Sequence, residues 1–129
     1  MPFASAIRAM IVDDQLTSRA LIRDGLQQLG IQDIEQAGDG EQGLKALLQK
    51  PAHLVISDLN MPKLDGLQFL QAVRAHPTTQ KAAFIMLTGR GDRALIERAI
   101  KLGVNNYLVK PFTIPVLKGA IEAVFGKLK

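Results

Sequence analysis

The chain has 129 residues, 47% hydrophobic and 22% charged, which fits one domain able to bury roughly two thirds of its unfolded surface. It contains no cysteine, so disulfide scaffolds, zinc–thiolate sites and thiol catalysis are excluded. Sixteen Lys and Arg against twelve Asp and Glu leave a net +4, which brings nucleic acid or an anionic membrane forward as partners.

The N-terminus, Met1-Pro2-Phe3-Ala4-Ser5, has no basic region leading into an apolar one, so no secretory signal is evident and a cytoplasmic protein is expected. The longest apolar run, Ala82 to Leu87, is far short of the roughly 20 residues that cross a bilayer. Strands are predicted at Ala6–Val12, Asp33–Ala37, His53–Ser57, Ala82–Leu87 and Asn106–Val109. Three of them carry continuous apolar runs (AMIV, LVI, FIML), the pattern of strands covered on both faces of a parallel sheet.

Helical periodicity fills the intervals. Leu21, Ile22, Leu26 and Leu29 form one stripe, which Gly30 is placed to end. Asp39 with Gln42 three residues on reads as an N-cap for a helix with Leu44, Leu47 and Leu48 inward, closed by Pro51. Leu67, Leu70 and Val73 mark a third helix after an Asp65-Gly66 turn; Leu95, Ile96, Ala99 and Ile100 mark a fourth. The last runs through Ile114, Leu117, Ile121, Val124, Phe125 and Leu128, with Thr113 as its cap. Five strands alternating with five helices imply right-handed crossovers and a parallel sheet with helices on both faces. No repeat, low-complexity tract or linker interrupts residues 1–129, so a single domain with no output domain is expected.

The polar residues of interest fall where strands end. Asp13 and Asp14 follow the first strand, Asp58 the third, Thr88 the fourth and Lys110 the fifth. In an open parallel sheet those ends form the ligand crevice, so the five groups should converge. Three carboxylates in one pocket repel one another unless a cation joins them. An oxygen-rich set without His or Cys suits Mg²⁺, which favours carboxylates, waters and phosphate oxygens. A lysine, a threonine hydroxyl and a metal around a carboxylate describe a phosphoryl-transfer site, with the carboxylate as nucleophile.

Val12-Asp13-Asp14, the segment from Ser57 to Gly66 (SDLNMPKLDG), Met86-Leu87-Thr88 and Val109-Lys110-Pro111-Phe112 together resemble the receiver domain of two-component response regulators. The resemblance covers essentially the whole chain, with the motifs in the family's order. Tyr107, three residues before the lysine, brings it nearest to the CheY-like single-domain members that serve chemotaxis. The implied fold is flavodoxin-like, a doubly wound (βα)5 sheet in strand order 2-1-3-4-5. The resemblance further implies that Asp58 accepts a phosphoryl group from a sensor histidine kinase of the CheA type. Asp13, Asp14 and Asp58, with the Asn60 backbone carbonyl, would hold Mg²⁺. Thr88 would swing toward the phosphoryl group and Tyr107 inward behind it. Lys110 would pair with Asp58 at rest and with a phosphoryl oxygen after transfer. Gly89 matches a position that must be small, and Lys110-Pro111 the family's cis peptide. Arg90, at the pocket mouth, departs from the acidic residue of the chemotaxis members, a position that bears on the lifetime of the phosphorylated form.

Other readings compete. Asp13-Asp14 alone could cap a helix, Asp58 alone could sit in a turn, and Tyr107 could simply pack against the last helix. A phosphatase working through an aspartyl phosphate wants a second Asp two residues past the nucleophile, where this chain has Asn60. An FMN carrier on the same fold would find phosphate repelled by Asp13-Asp14. His53 and His76 stand alone, without metal-ligand spacing. No helix has the dense basic face of a nucleic-acid binder, and aromatics are 5%.

The +4 is itself uneven. Residues 1–60 carry five basic and eight acidic side chains, and residues 61–129 eleven basic and four acidic. Arg90, Arg93, Arg98 and Lys101, diluted by Asp92 and Glu97, put part of the later excess on the fourth helix. The expected partner is therefore an acidic protein segment, neither nucleic acid nor membrane. It would be a flagellar motor switch protein or another target, bound to a monomer through the fourth helix, fifth strand and fifth helix. A phosphate sink or a phosphorelay intermediate is the alternative role.

Overall fold

The computed structural model describes residues 3–89 and 92–129. A short 3-10 turn, Ala4–Ala6, leads into β1 (Arg8–Val12), α1 (Leu16–Gln28), β2 (Asp33–Ala37), α2 (Gly40–Gln49) and β3 (Leu54–Asp58). These are followed by α3 (Gly66–Ala75), β4 (Ala83–Thr88), α4 (Arg93–Lys101), β5 (Asn106–Val109) and α5 (Ile114–Phe125). The strands are all parallel, in the order β2-β1-β3-β4-β5. The doubly wound flavodoxin-like architecture is therefore the one the motifs implied.

Strand alternation divides the core in two. Ile11, Ile56, Ile85 and Leu87 face α1 and α5, where Ile22, Leu26, Leu117 and Ile121 are buried against them. Met10, Val12, Val55, Phe84 and Met86 face the other way, onto Leu47, Phe69, Leu70, Val73 and Ala99 of α2, α3 and α4. Each such side chain contributes roughly 1.5–3 kcal/mol of transfer free energy. Phe69 meets Phe84 edge-to-face with ring centroids 5.5 Å apart. The central strands β1, β3 and β4 are buried throughout, which accounts for their unbroken apolar runs.

Two caps are those the sequence predicts: Asp39 accepts from the Gln42 N–H and Thr113 from the Val116 N–H. Asp65, expected in a turn, instead forms a reciprocal capping box with Gln68. Gly30, at φ 90°, takes the left-handed conformation that ends α1.

Several boundaries and faces differ from expectation. β1 starts at Arg8 because Ala6 belongs to the preceding turn. β3 and β4 each sit one residue later than expected, so Asp58 and Thr88 are the last residues of their strands. Leu21, Leu48 and Ile100, expected inward, are exposed. Each lies one step around its helix from a buried neighbour, and the helices meet the sheet along a narrower stripe than the periodicity allows. α4 shows this most clearly: it covers the edge carrying the four-residue, half-exposed β5, and only Ala99 is fully buried. Leu128 packs on the core from beyond the end of α5.

Arg74, near the end of α3, holds the N-terminal ends of β4 and β5 together. Its guanidinium donates to the carbonyls of Gln80, Ala82 and Gly103 and to Asn105 Oδ1, at 2.7 to 3.2 Å. Asn105 Oδ1 in turn accepts from the Phe84 N–H. At the same end of the sheet, Arg8 pairs with Asp33 at 2.8 Å and with Glu35, bracing β1 against β2. The opposite end is thereby left to the polar residues at the strands' carboxyl termini.

Candidate functional site

Four chain segments deliver the site. Asp13 and Asp14 leave β1, Asp58 ends β3, Thr88 ends β4, and Lys110 follows β5. β1 and β4 flank β3 directly, so Asp58 lies between its neighbours' termini. One carboxylate oxygen from each of Asp13, Asp14 and Asp58 comes within 4.8 Å of the other two. Asp13 is fully buried, Asp58 nearly so at 7% exposure, and Asp14 is exposed.

Hydrogen bonds fix the two buried carboxylates. Asp13 Oδ1 accepts from the Gln15 N–H at 2.9 Å. Lys110 Nζ donates to Asp13 Oδ2 and to Asp58 Oδ2, both at 3.2 Å. Burial pushes the Asp58 carboxyl above its usual range; the Lys110 ammonium opposes this, the Asp13 carboxylate adds to it, and the Asn60 backbone N–H opposes it. Three carboxylates thus face one ammonium. This excess of negative charge on hard oxygen donors fits a divalent ion such as Mg²⁺.

The backbone around Asp58 is tightly constrained. The β3–α3 connection folds back so that the Gly66 N–H donates to the Leu59 carbonyl at 2.8 Å. A Cβ on Gly66 would lie 2.5 Å from the Asp58 carbonyl oxygen and 2.7 Å from Leu59 Cα, so only glycine fits there. Asn60, two residues beyond Asp58, has an exposed side chain.

Thr88 ends β4 next to the acidic pocket, and Tyr107 belongs to the α4–β5 face. Thr88 is buried and its hydroxyl donates to the Leu108 carbonyl at 3.3 Å, while its own carbonyl accepts from the Lys110 N–H at 2.7 Å. Tyr107 is 41% exposed and lines a groove of about 350 Å³ with Ile96, Ile100 and Val109. Gly89 and Asp92 also line that groove, and the Gly89 N–H donates to Asp92 Oδ2 at 2.8 Å. Among the described residues, a Cβ added at Gly89 would meet Asp92 Oδ2, at 3.4 Å. The Lys110–Pro111 peptide is cis. Arg90 lies outside the described residues.

Asp13, Asp14, Asp58 and Lys110 therefore converge, with Thr88 at the end of the adjoining strand and Tyr107 on the outer face. Two features are not legible in the sequence. Gly66 reads there as a turn residue, although its place eight residues past Asp58 hints at a close approach. Asp92 stands where an N-cap belongs, yet its carboxylate bonds Gly89 and leaves the first turn of α4 without a side-chain cap.

The chain matches the response regulator receiver domain family over residues 9–122. It is 63% identical to a probable chemotaxis protein CheY of Rhizobium etli over the full length of both chains. The solved structure of the beryllofluoride-activated, Mg²⁺-bound response regulator CheY2 of Sinorhizobium meliloti is 64% identical over both whole chains, with a TM-score of 0.75. The chemotaxis protein CheY4 of Vibrio cholerae superposes with a TM-score of 0.85 at 29% identity, covering 92% of this chain and 98% of its own.

Proposed function

The chain belongs to the response regulator receiver domain family, as a CheY-like member, and on that premise we propose that Asp58 is its phosphoacceptor. The observation that carries this reading is the pairing of Asp58 with Lys110 across 52 residues of chain, beside two further carboxylates. A phosphohistidine on a sensor kinase is the donor. An Asp58 carboxylate oxygen attacks the phosphorus and forms a P–O bond. The P–N bond breaks, and the imidazole nitrogen keeps its electron pair and takes a proton from solvent. Water later attacks the acyl phosphate, releasing inorganic phosphate and restoring the carboxylate. The chain is thus a switch with slow self-dephosphorylation and no other substrate.

Asp13 and Asp14, with Asp58 and the Asn60 carbonyl, would hold Mg²⁺, which would supply positive charge to offset that on the transferred oxygens. Asp13 is anchored for this by the Gln15 N–H. Lys110 exchanges its bond to Asp58 for one to a phosphoryl oxygen. Thr88 leaves the Leu108 carbonyl and donates to another phosphoryl oxygen, which opens space toward which Tyr107 turns.

The α4–β5–α5 face carries the output. Ile100, Tyr107, Val109 and Val116 are exposed there, with Arg93, Lys101 and Lys118 nearby on α4 and α5. Apolar anchors among cations suit an amphipathic, acidic segment of a partner, and the flagellar motor switch is the expected one. Drawing phosphoryl groups off the kinase, or relaying them to a phosphotransfer protein, is the alternative role for the same acceptor. Among the described residues no helix is long and apolar enough to cross a membrane. The proposed exchange with a kinase and a motor target places the switch in the cytoplasm, acting as a monomer.

Incubation with acetyl phosphate and Mg²⁺, followed by mass spectrometry, tests the acceptor. Wild type should gain one phosphoryl group and Asp58→Asn none; equal labelling of both would refute the assignment. Affinity capture with and without beryllofluoride should then enrich a motor component in the activated arm, whereas enrichment of the kinase alone would favour the sink.

A further inference from the structure

We propose that Asp92 is a positioning residue for the phosphoryl site, an internal anion that occupies the Gly89 N–H at rest and must yield it when Asp58 is loaded. The inference rests on Asp58 being the phosphoacceptor and concerns what opposes its loading. β4 pairs Leu87 with Asp58, so Gly89 supplies the first amide beyond the strand end next to the acceptor. That amide has no partner in the sheet ladder; its acceptor is Asp92 Oδ2, at 2.8 Å. The other donor at this strand end, the Thr88 hydroxyl, is likewise held internally by the Leu108 carbonyl. Both donors at this strand end are therefore engaged by acceptors within the protein.

Asp92 is placed to act this way rather than as an ordinary cap. Its backbone, at φ −85° and ψ 28°, lacks the extended conformation of the capping residues Asp39, Asp65 and Thr113, and its side chain makes no bond to α4. A carboxylate on an amide N–H is a charge-assisted bond. A phosphoryl group at Asp58 offers oxygens of the same chemistry to the same donor. The two anions compete, and the balance between them sets how readily the Gly89 N–H becomes available to the pocket. Asp92 also borders the α4–β5 groove with Tyr107, so the exchange couples the pocket to the output face.

The test is beryllofluoride binding in the presence of Mg²⁺, read by fluorine NMR of the bound group, on the wild type, Asp92→Ala and Asp92→Asn, with thermal melts of each. Asp92→Ala should bind beryllofluoride about five-fold more tightly, the scale of one partly solvated charge-assisted hydrogen bond, while melting at a lower temperature. Asp92→Asn keeps an uncharged acceptor on Gly89 and should fall between the two. A merely structural residue would lower both affinity and stability. Unchanged or weaker binding by both variants, beside a wild type that binds normally, would overturn this inference alone. A wild type that fails to bind beryllofluoride would remove the phosphoacceptor assignment and this inference with it.

Discussion

Lys110 Nζ stands 3.2 Å from Asp58 Oδ2, and the same ammonium stands 3.2 Å from Asp13 Oδ2. One cation thus neutralises part of a pocket in which a fully buried carboxylate and a nearly buried one face each other. Removing the one cation of such a set leaves the buried carboxylates uncompensated, which costs more than the pair contributes. Lys110→Met is expected to lose about 3 kcal/mol in metal-free buffer, a fall of roughly 10 °C in Tm. Saturating Mg²⁺ should recover a large part of that loss. Thermal melts with and without Mg²⁺ check this, and an identical fall in both would argue against metal at the carboxylates.

Asp58→Asn removes charge from the same pocket without removing volume. Since burial, with Asp13 adding, outweighs Lys110 and holds the Asp58 carboxyl above its ordinary range, its ionised form is disfavoured by folding. The metal-free variant should therefore melt a few degrees above wild type at neutral pH and respond less to Mg²⁺.

The pH dependence follows from the same direction. Asp58 binds its proton more tightly in the native state than in the unfolded chain. Stability from this group consequently grows as pH falls through its raised native value toward the unfolded carboxylate value near about 4, and is lost as pH rises again. In metal-free buffer the advantage of Asp58→Asn should hold level above the raised native value of Asp58 and shrink as pH falls through it. A gap that widened on acidification would contradict the raised carboxyl. Melts at matched ionic strength across that interval give the answer.

Gly66 tests the backbone rather than the charges. Gly66→Ala forces a Cβ against the Asp58 carbonyl and Leu59 Cα, neither of which can rotate away. A loss of about 2–3 kcal/mol is expected. Mg²⁺ affinity should fall as well, because relief of the clash displaces Asp58. Calorimetric titration of Mg²⁺ separates the two effects.

Arg74 is expected to matter for stability alone. Arg74→Ala leaves the Gln80, Ala82 and Gly103 carbonyls and Asn105 Oδ1 without their shared donor, for a loss of about 3 kcal/mol. Arg74→Lys should recover less than half of it, because an ammonium cannot reproduce the planar fork. Beryllofluoride affinity at 10 °C should remain that of wild type in both, since Arg74 serves the far end of the strands.

Much of this could be read along the chain. Val12, Ile56 and Ile85 sit in apolar runs of a kind that only a doubly covered strand tolerates. Asp39 and Thr113 are caps whose partners lie three residues away, well within local reach. Asp13, Asp58 and Lys110 were identifiable because strand ends in a parallel sheet must share one edge, whatever the packing details.

What escaped the sequence depended on how distant segments approach. Leu21, Leu48 and Ile100 obey the helical period yet face solvent, because the width of a buried stripe is set by the surface a helix meets. Gly66, Arg74 and Asp92 resemble a turn residue, a surface cation and a cap until the β3–α3 return, the β4–β5 ends and the Gly89 amide are in place around them. Periodicity and capping are properties of neighbours in the chain, so the order of residues determined the elements and the edge where chemistry gathers. Clashes, shared donors and competing acceptors arise between segments far apart in sequence, and only the tertiary structure decided them.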